Sequence, residues 1–536
     1  MTALNSHFVF GTTAAFSHVP PVISLALALL TSTPDLVISI LLHKNSEENS
    51  LSMIEGTPQD VVSRLKLVLV GEKTEWNSVA LSYVQMMELS GAEYAKILAA
   101  SLSIIIWCTD CAPWPTPTVF IGDYTSFFFI PVKSKVEENF PHLKPAKFIG
   151  YNPQMAAETL LCEGAEENGS LRWIDKAVAE FDSEAVSPQD NQLLNDKTKS
   201  GDDKTMPAEE RTARMIKAYR ACVTESKHVV KIPGWTPFHV SELWSLNIDW
   251  NEMSGLGWFR WMSGRQALAQ VPEAWISCFP SSVFEPETIA ALRKDAYITD
   301  GGKKPYFEVG WFERKPKANW GEGVKEFLDK YEAKSVVYIS FGTIFDAGFG
   351  LPVIFDYLEQ TKTPYIYACG NQYDSLPQHV KDTLAKSQAQ GFCIAPNWVD
   401  QVGILSHKSV KAFVSHCGVN STLEGILAGV PIVSWGRRGD QVLLASIIHH
   451  KGLGVELLQH REGSTIGHAT AHRPEVTVTG KPEDLKAELA AAFEKIGGPE
   501  GDKMREKANA LATQIRAKRT GEWEETIKLF GQFGRE

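Results

Sequence analysis

Between Trp398 and Gln441 the chain sets out polar side chains at spacings suited to holding an anion and a polyol. The stretch reads WVDQVGILSHKSVKAFVSHCGVNSTLEGILAGVPIVSWGRRGDQ. Lys411 to Ser415 predicts a strand that His416 closes, and Gly418 lets the backbone turn sharply into a helix beginning near Asn420. Such a junction points free N–H groups and the positive end of the helix dipole at whatever sits there, so it favours anions. Asn420, Ser421 and His416 add side-chain donors, enough to hold a pyrophosphate without a metal. Ser421 and Glu424 also have the S-x-x-E spacing of a capping box, a purely structural alternative. Trp398 with Val399, Gln401, His416 and the Asp440-Gln441 pair weigh towards a ligand, because a carboxylate beside an amide offers acceptors and donors to sugar-like hydroxyls. Gly342 and Thr343, after the apolar run SVVYISFG, make another strand-to-helix turn aimed at the same place, with an ordinary tight turn as the alternative.

A second candidate lies near the amino terminus. His18 falls at the turn between the first predicted strand, His7 to Phe10, and the first helix, Val19 to Leu30, which Pro20 and Pro21 open. An imidazole, with its pKa of about 6.5, is well matched to taking a proton at neutral pH. A carboxylate commonly orients such a base and balances the imidazolium that forms. Asp110, after SIIIWCT, is the first choice for that partner, and Asp123 is its rival, since Pro113, Pro115 and Pro117 break any helix after Asp110.

The elements that must position these residues form two series. Strands over Val37 to His43, Ser103 to Thr109 and Thr118 to Phe120 alternate with helices such as Glu93 to Ala100. The regular pattern is lost between Glu163 and Lys217, with a polar excursion over Ser187 to Lys204, and returns at His228 to Gly234, Ala274 to Phe279 and Tyr306 to Phe312. Glu313 to Gly323 has a linker's composition. Strands then follow at Ser335 to Phe341, Tyr365 to Gly370, Gly391 to Pro396, Lys411 to Ser415, Pro431 to Trp435 and Gly454 to Leu458, and a helix over Met504 to Phe530 comes last. This predicts an α/β protein of two facing doubly wound, Rossmann-like domains, 1–312 and 324–500, with residues 501–536 returning to the first.

Composition narrows the function classes. The 536 residues are 44% hydrophobic and 22% charged, ordinary values for a globular chain. A net charge of −11 leaves no basic excess for nucleic acid. Eight scattered cysteines include Cys108 and Cys111, but no second pair stands at a zinc spacing, so buried thiols and a reducing compartment are expected. No apolar run is long enough to span a bilayer, and a cytoplasmic location is the expectation. A nicotinamide reductase would need G-x-G-x-x-G after an early strand, which Gly11 to Ala15 does not supply.

The stretch from Trp398 to Gln441 resembles the signature box of the UDP-dependent glycosyltransferases of small molecules, family 1 of the GT-B fold. The resemblance covers W-x-x-Q, L-x-H, F-x-x-H-x-G-x-N-S-x-x-E, G-x-P and D/E-Q without a gap; FSHVPP resembles the family's G-H-x-x-P segment, with Ser17 for Gly, and KIPGWTPFHVSEL its I-P-G segment. It implies an inverting transfer of a hexose, glucose by the lean of Gln441, from a UDP-sugar co-substrate to a hydroxyl of a small lipophilic acceptor, with no cofactor or metal. It further implies that Trp398 stacks on the uracil and that Gln401 and Glu424 take the ribose hydroxyls. His416, Asn420, Ser421 and the Gly342-Thr343 turn hold the phosphates, Asp440 and Gln441 the sugar, and His18 with Asp110 does the proton transfer. Trp114, Phe127, Phe128, Phe129, Trp235 and Trp244 are expected to wall the acceptor pocket or to be core. Asp400 replaces a common proline, and Gly436-Arg437-Arg438 a proline-led apolar turn; both arginines are expected in solvent, with an anionic sugar as the alternative. A catalytically silent binding or scaffold subunit is the alternative to an enzyme.

Overall fold

The computed structural model describes residues 4–12, 18–70, 114–123, 138, 141, 146–181, 208–243, 265–342 and 348–533. Strands β1 (Ser6–Gly11), β2 (Leu36–His43), β3 (Leu65–Val70), β4 (Val119–Asp123), β5 (Lys147–Asn152), β6 (Ala274–Ser277) and β7 (Tyr306–Glu308) pair in parallel in the order β3-β2-β1-β4-β5-β6-β7. Strands β8 (Val336–Ser340), β9 (Tyr365–Ala368), β10 (Cys393–Ile394), β11 (Val410–Ser415), β12 (Ile432–Ser434) and β13 (Gly454–Glu456) form a second parallel sheet in the order β10-β9-β8-β11-β12-β13. Helices cover both faces of such sheets, which is why β1, β2 and β8 are near-continuous apolar runs. This is the two-domain α/β arrangement of the GT-B fold.

In each sheet the strand order reverses beside the first strand, between β1 and β4 and between β8 and β11. At such a switch point the connections leave in opposite directions and open a crevice at the carboxyl ends of the strands. His18 follows β1 and Asp123 ends β4; Gly342 follows β8 and His416 follows β11. Both groups of candidate residues therefore sit at switch points. The register, Gly11 opposite Gly122, brings the ends of β1 and β4 level.

Helices α1 (Val19–Ser32), α2 (Ala156–Glu163), α3 (Gln401–Ser406), α4 (Val419–Leu427), α5 (Asp440–Lys451), α6 (Pro499–Arg519) and α7 (Glu522–Gly531) frame the site. One apolar cluster joins the two halves, with Trp235, Phe238 and Leu243 of the first packed with Val419, Leu443 and Leu444 of the second. Polar contacts cross the same seam: the Gly439 amide donates to the Leu243 carbonyl (2.8 Å), and buried Glu242 accepts from the Ala471 amide (2.8 Å) and from Arg461 (3.4 Å). The chain then recrosses. Trp523 is fully buried against Gly310, whose positive φ (+65°) and lack of a Cβ leave room for the indole, and Phe530 meets Phe8 edge-on at 5.8 Å between centroids.

The structure differs from the sequence expectation in several places. A helix over Trp173–Phe181 lies within the region expected to lack regular structure, and one over Ala208–Val223 begins inside it. The helix expected over Met504 to Phe530 is two, α6 and α7, meeting at Thr520 and Gly521. Strands β3 and β5 were not anticipated; both are short, and β5 carries Gly150, where a Cβ would stand 2.5 Å from Trp275. The expected helix Glu93 to Ala100 and strand Ser103 to Thr109 lie outside the described residues.

Candidate active site

On the amino-terminal side, His18 is the residue from which α1 starts, yet its side chain makes no cap hydrogen bond. Its Nδ1 instead lies 2.6 Å from Oδ2 of Asp123, which is fully buried and also accepts from Thr12 Oγ1 (3.3 Å). Asp110, the first choice for this partner, lies outside the described residues, and the rival Asp123 makes the contact. A carboxylate at Nδ1 assigns the proton of the neutral ring to that nitrogen and leaves Nε2 as the basic lone pair. Burial pulls the His18 pKa down, but the charge and hydrogen bond of Asp123, with the charges of Asp440 and Glu158, outweigh it, and the net shift is upward.

On the other side, β11 runs into α4 through His416, Cys417 and Gly418. The left-handed residue of this turn is Cys417 (φ +64°), not the expected Gly418, whose φ of −62° any residue could adopt. Gly418 is small for another reason: a Cβ there would stand 2.5 Å from His416 Nε2. Gly342, at φ +74°, abuts the same ring, with a Cβ position 2.8 Å away. The two glycines thus seat the imidazole between the turns that follow β8 and β11. Burial lowers the His416 pKa to about 4, against the upward pull of a hydrogen bond with the Ser340 backbone, so the ring is neutral at physiological pH. Thr343 lies outside the described residues. Gly418→Ala is backbone-compatible and acts only by displacing this ring; it is expected to weaken UDP binding about tenfold, the scale of one lost hydrogen bond, as titration calorimetry would read.

Ser421 and Glu424 do not form a capping box, since Gly418 is the N-cap of α4. Gln401 Nε2 donates to Glu424 Oε2 (2.7 Å) and lies 3.2 Å from Ser421 Oγ, while its Oε1 accepts from Tyr338 (3.0 Å). Arg314, which the sequence reading did not single out, donates through Nε to Glu424 Oε1 (3.1 Å) and through Nη2 to the same atom. Trp398 is 57% exposed and Val399 is half-buried. Asp400 caps α3, accepting from the Gly403 amide (3.1 Å), and also takes the Lys317 amide (2.7 Å), which accounts for an acid where proline is common. His407, inside the signature stretch, is structural, bonded to Ser409 and Asp329.

Asp440 opens α5. Burial and the charge of Glu158 raise its pKa to about 7. Gln441 is buried, and its Oε1 accepts from the Arg437 amide (3.3 Å), so the amide nitrogen is the end left for a ligand. Arg437 is not in solvent: it is 6% exposed, its guanidinium lies against Gly348, and Glu462 is 4.0 Å away, a pair that compensates the buried charge. Arg438 is half-buried. Trp235 is core, packed on Phe284 and bonded to Glu285 (3.1 Å), so it does not wall a pocket. Trp114 is half-buried with its edge to His7; Phe127, Phe128, Phe129 and Trp244 lie outside the described residues. Among the described residues no group of three or more His, Cys, Asp or Glu side chains is arranged to hold a metal ion, and no helix is long and apolar enough to cross a membrane.

The chain is similar in part to known proteins. Residues 306–472 match the family profile described as UDP-glucoronosyl and UDP-glucosyl transferase. UDP-glycosyltransferase 91C1 of Arabidopsis thaliana is 34% identical over 191 residues, 34% of this chain and 38% of that protein. An anthocyanidin 3-O-glucosyltransferase of Solanum melongena is 41% identical over 132 residues, 24% of this chain and 28% of its own length. The matched segments thus span well under half of these two curated relatives. Among solved structures, a UDP-glucosyltransferase from Polygonum tinctorium capable of glucosylating indoxyl superposes over 100% of both chains, with a TM-score of 0.66 and 17% identity, a likeness of fold. The profile match, residues 306–472, takes in His416, Glu424 and Asp440, and it is this part of the chain that is similar to the UDP-glucoronosyl and UDP-glucosyl transferases.

Proposed function

We propose that the protein is an inverting glycosyltransferase that moves a hexose, glucose foremost, from a UDP-sugar to the hydroxyl of a small lipophilic acceptor such as a phenol, sterol or lipid. The observation that carries this reading is the buried His18–Asp123 pair, 2.6 Å apart and within electrostatic reach of Asp440. The acceptor hydroxyl gives its proton to His18 Nε2 as its oxygen attacks the anomeric carbon from the face opposite the departing phosphate. Asp123 stays ionised and stabilises the imidazolium. The charge that develops on UDP is met by the amides at the start of α4 and by the neutral His416, which need no reorganisation at the moment of transfer. Trp398 supplies the uracil platform, Gln401 and Glu424 the ribose contacts, Asn420 and Ser421 phosphate donors, and Asp440 with Gln441 the sugar contacts. One displacement with no covalent sugar–enzyme intermediate inverts the anomeric centre.

Acceptors of the indoxyl and anthocyanidin kind, on which the named relatives act, are the first to try. Turnover of UDP-glucose with and without a mixed phenolic panel, followed by UDP release and product mass, tests the reading. UDP release that depends on acceptor supports transfer; folded protein that binds UDP and releases none with any acceptor would leave a binding subunit instead.

A further inference from the structure

The interdomain linker holds an arginine against the carboxylate assigned to the ribose. Arg314 lies outside the signature stretch and 110 positions before Glu424, yet its Nε and Nη2 both donate to Glu424 Oε1. Glu424 is 4% exposed at its side chain, whereas Arg314 is 41% exposed, so the acid is the fixed partner and the arginine reaches in from the rim. Its backbone is held as well. The preceding residue, Glu313, is bonded by both Nε (2.8 Å) and Nη2 (2.6 Å) of Arg516 on α6, and the same Nη2 takes the carbonyl of Leu427 at the end of α4 (2.9 Å). The linker is thereby tied to the helix that carries Glu424 at two points one helical turn apart.

A carboxylate oxygen has room for two donors. Arg314 fills both places on Oε1, while Oε2 receives Gln401 Nε2 as its one donor among the described residues. The carboxylate is therefore fixed in orientation with one acceptor position left, on Oε2, next to an amide that is itself anchored by Tyr338. That arrangement reads a single hydroxyl of a ribose with a defined direction. Without Arg314, Glu424 would keep one anchor and lose its compensating cation in a buried setting.

We propose that Arg314 is a positioning residue for nucleotide recognition, locking Glu424 so that its remaining lone pair meets one ribose hydroxyl of the UDP-sugar. This rests on the assignment of Glu424 to the ribose in the proposed function. The test is calorimetric titration of the full chain with UDP, 2′-deoxy-UDP and 3′-deoxy-UDP, for wild type, Arg314→Ala and Arg314→Lys. Wild type should prefer UDP to one of the two deoxy analogues by about tenfold, the worth of one hydrogen bond to a charged group. Arg314→Ala should weaken UDP about tenfold and leave that deoxy analogue within about twofold, so the preference disappears; KM for the UDP-sugar rises and kcat holds. Arg314→Lys, which keeps the cation but not the two-pronged contact, should restore part of the preference. An equal loss for UDP and both analogues, an unchanged preference, or tighter UDP binding in Arg314→Ala would overturn the proposal while leaving the functional reading intact. A wild type that binds no UDP would overturn both. Because the side chain is at the rim, truncation opens no core cavity; the lysine variant decides the matter if the alanine variant fails to fold.

Discussion

Replacing His18 with alanine is expected to lower kcat by about 10²–10⁴-fold, with UDP affinity changed by less than about twofold. The imidazole supplies the proton acceptor, and no nucleotide contact is assigned to it. The substitution also removes the hydrogen bond that His18 gives to fully buried Asp123, which lowers stability. His18→Gln separates the two effects: an amide N–H can still donate to Asp123, so Tm recovers while kcat does not. Stopped transfer assays and UDP titration on both variants check this, and wild-type turnover in either would remove His18 from the mechanism.

The second large effect is expected for Asp123→Asn, with kcat lowered by about 10²–10⁴-fold, as is typical when the orienting acid of a histidine base is neutralised. The sign of the accompanying pH change follows from the structure. Transfer needs neutral His18, so activity falls as pH drops through its pKa. In the native protein Asp123 raises that pKa against the opposing pull of burial, and the acidic limb lies above that of an unperturbed imidazole. In the asparagine variant burial acts with less opposition, so the limb moves to lower pH even though the plateau is much reduced. A kcat profile over pH 5–9 reads both features. An acidic limb that stays in place would show that another group sets it.

The group around Glu424 was legible in the sequence because its residues are nearly all local. Trp398, Gln401, His416, Ser421, Glu424 and Gln441 fall within 44 positions, and one strand–turn–helix unit carries His416, Ser421 and Glu424. The site failed to read correctly where contacts join distant segments. Asp123 was one of two acids that the sequence offered to His18, and the long-range pairing of β4 with β1 is what brings it there. Arg314 sits in a stretch whose composition reads as linker, and nothing local signals a partner 110 residues away. Arg437 looked solvated because arginines usually are, but the close approach of Gly348 and the nearby Glu462 give it a buried place. Within the fold, uninterrupted apolar runs such as those of β2 and β8 were plain, while β3 and β5 are broken by Lys66 and Gly150 and did not stand out. Gly418 was assigned its role from the wrong property, backbone freedom rather than the absence of a Cβ.

The recrossing of α7 has a bearing on how the protein is made. Ile527 and Phe530 complete the apolar core around β1, β2 and α1, with Phe530 against Phe8 and Phe307. On the ribosome the strands they cover emerge first and wait through synthesis of the whole second domain. The first domain therefore spends that interval with part of its core open to solvent, at a cost of about 1.5–3 kcal/mol for each large side chain withheld. The half of the molecule that carries His18 reaches its native state only after the half that carries His416 has been translated.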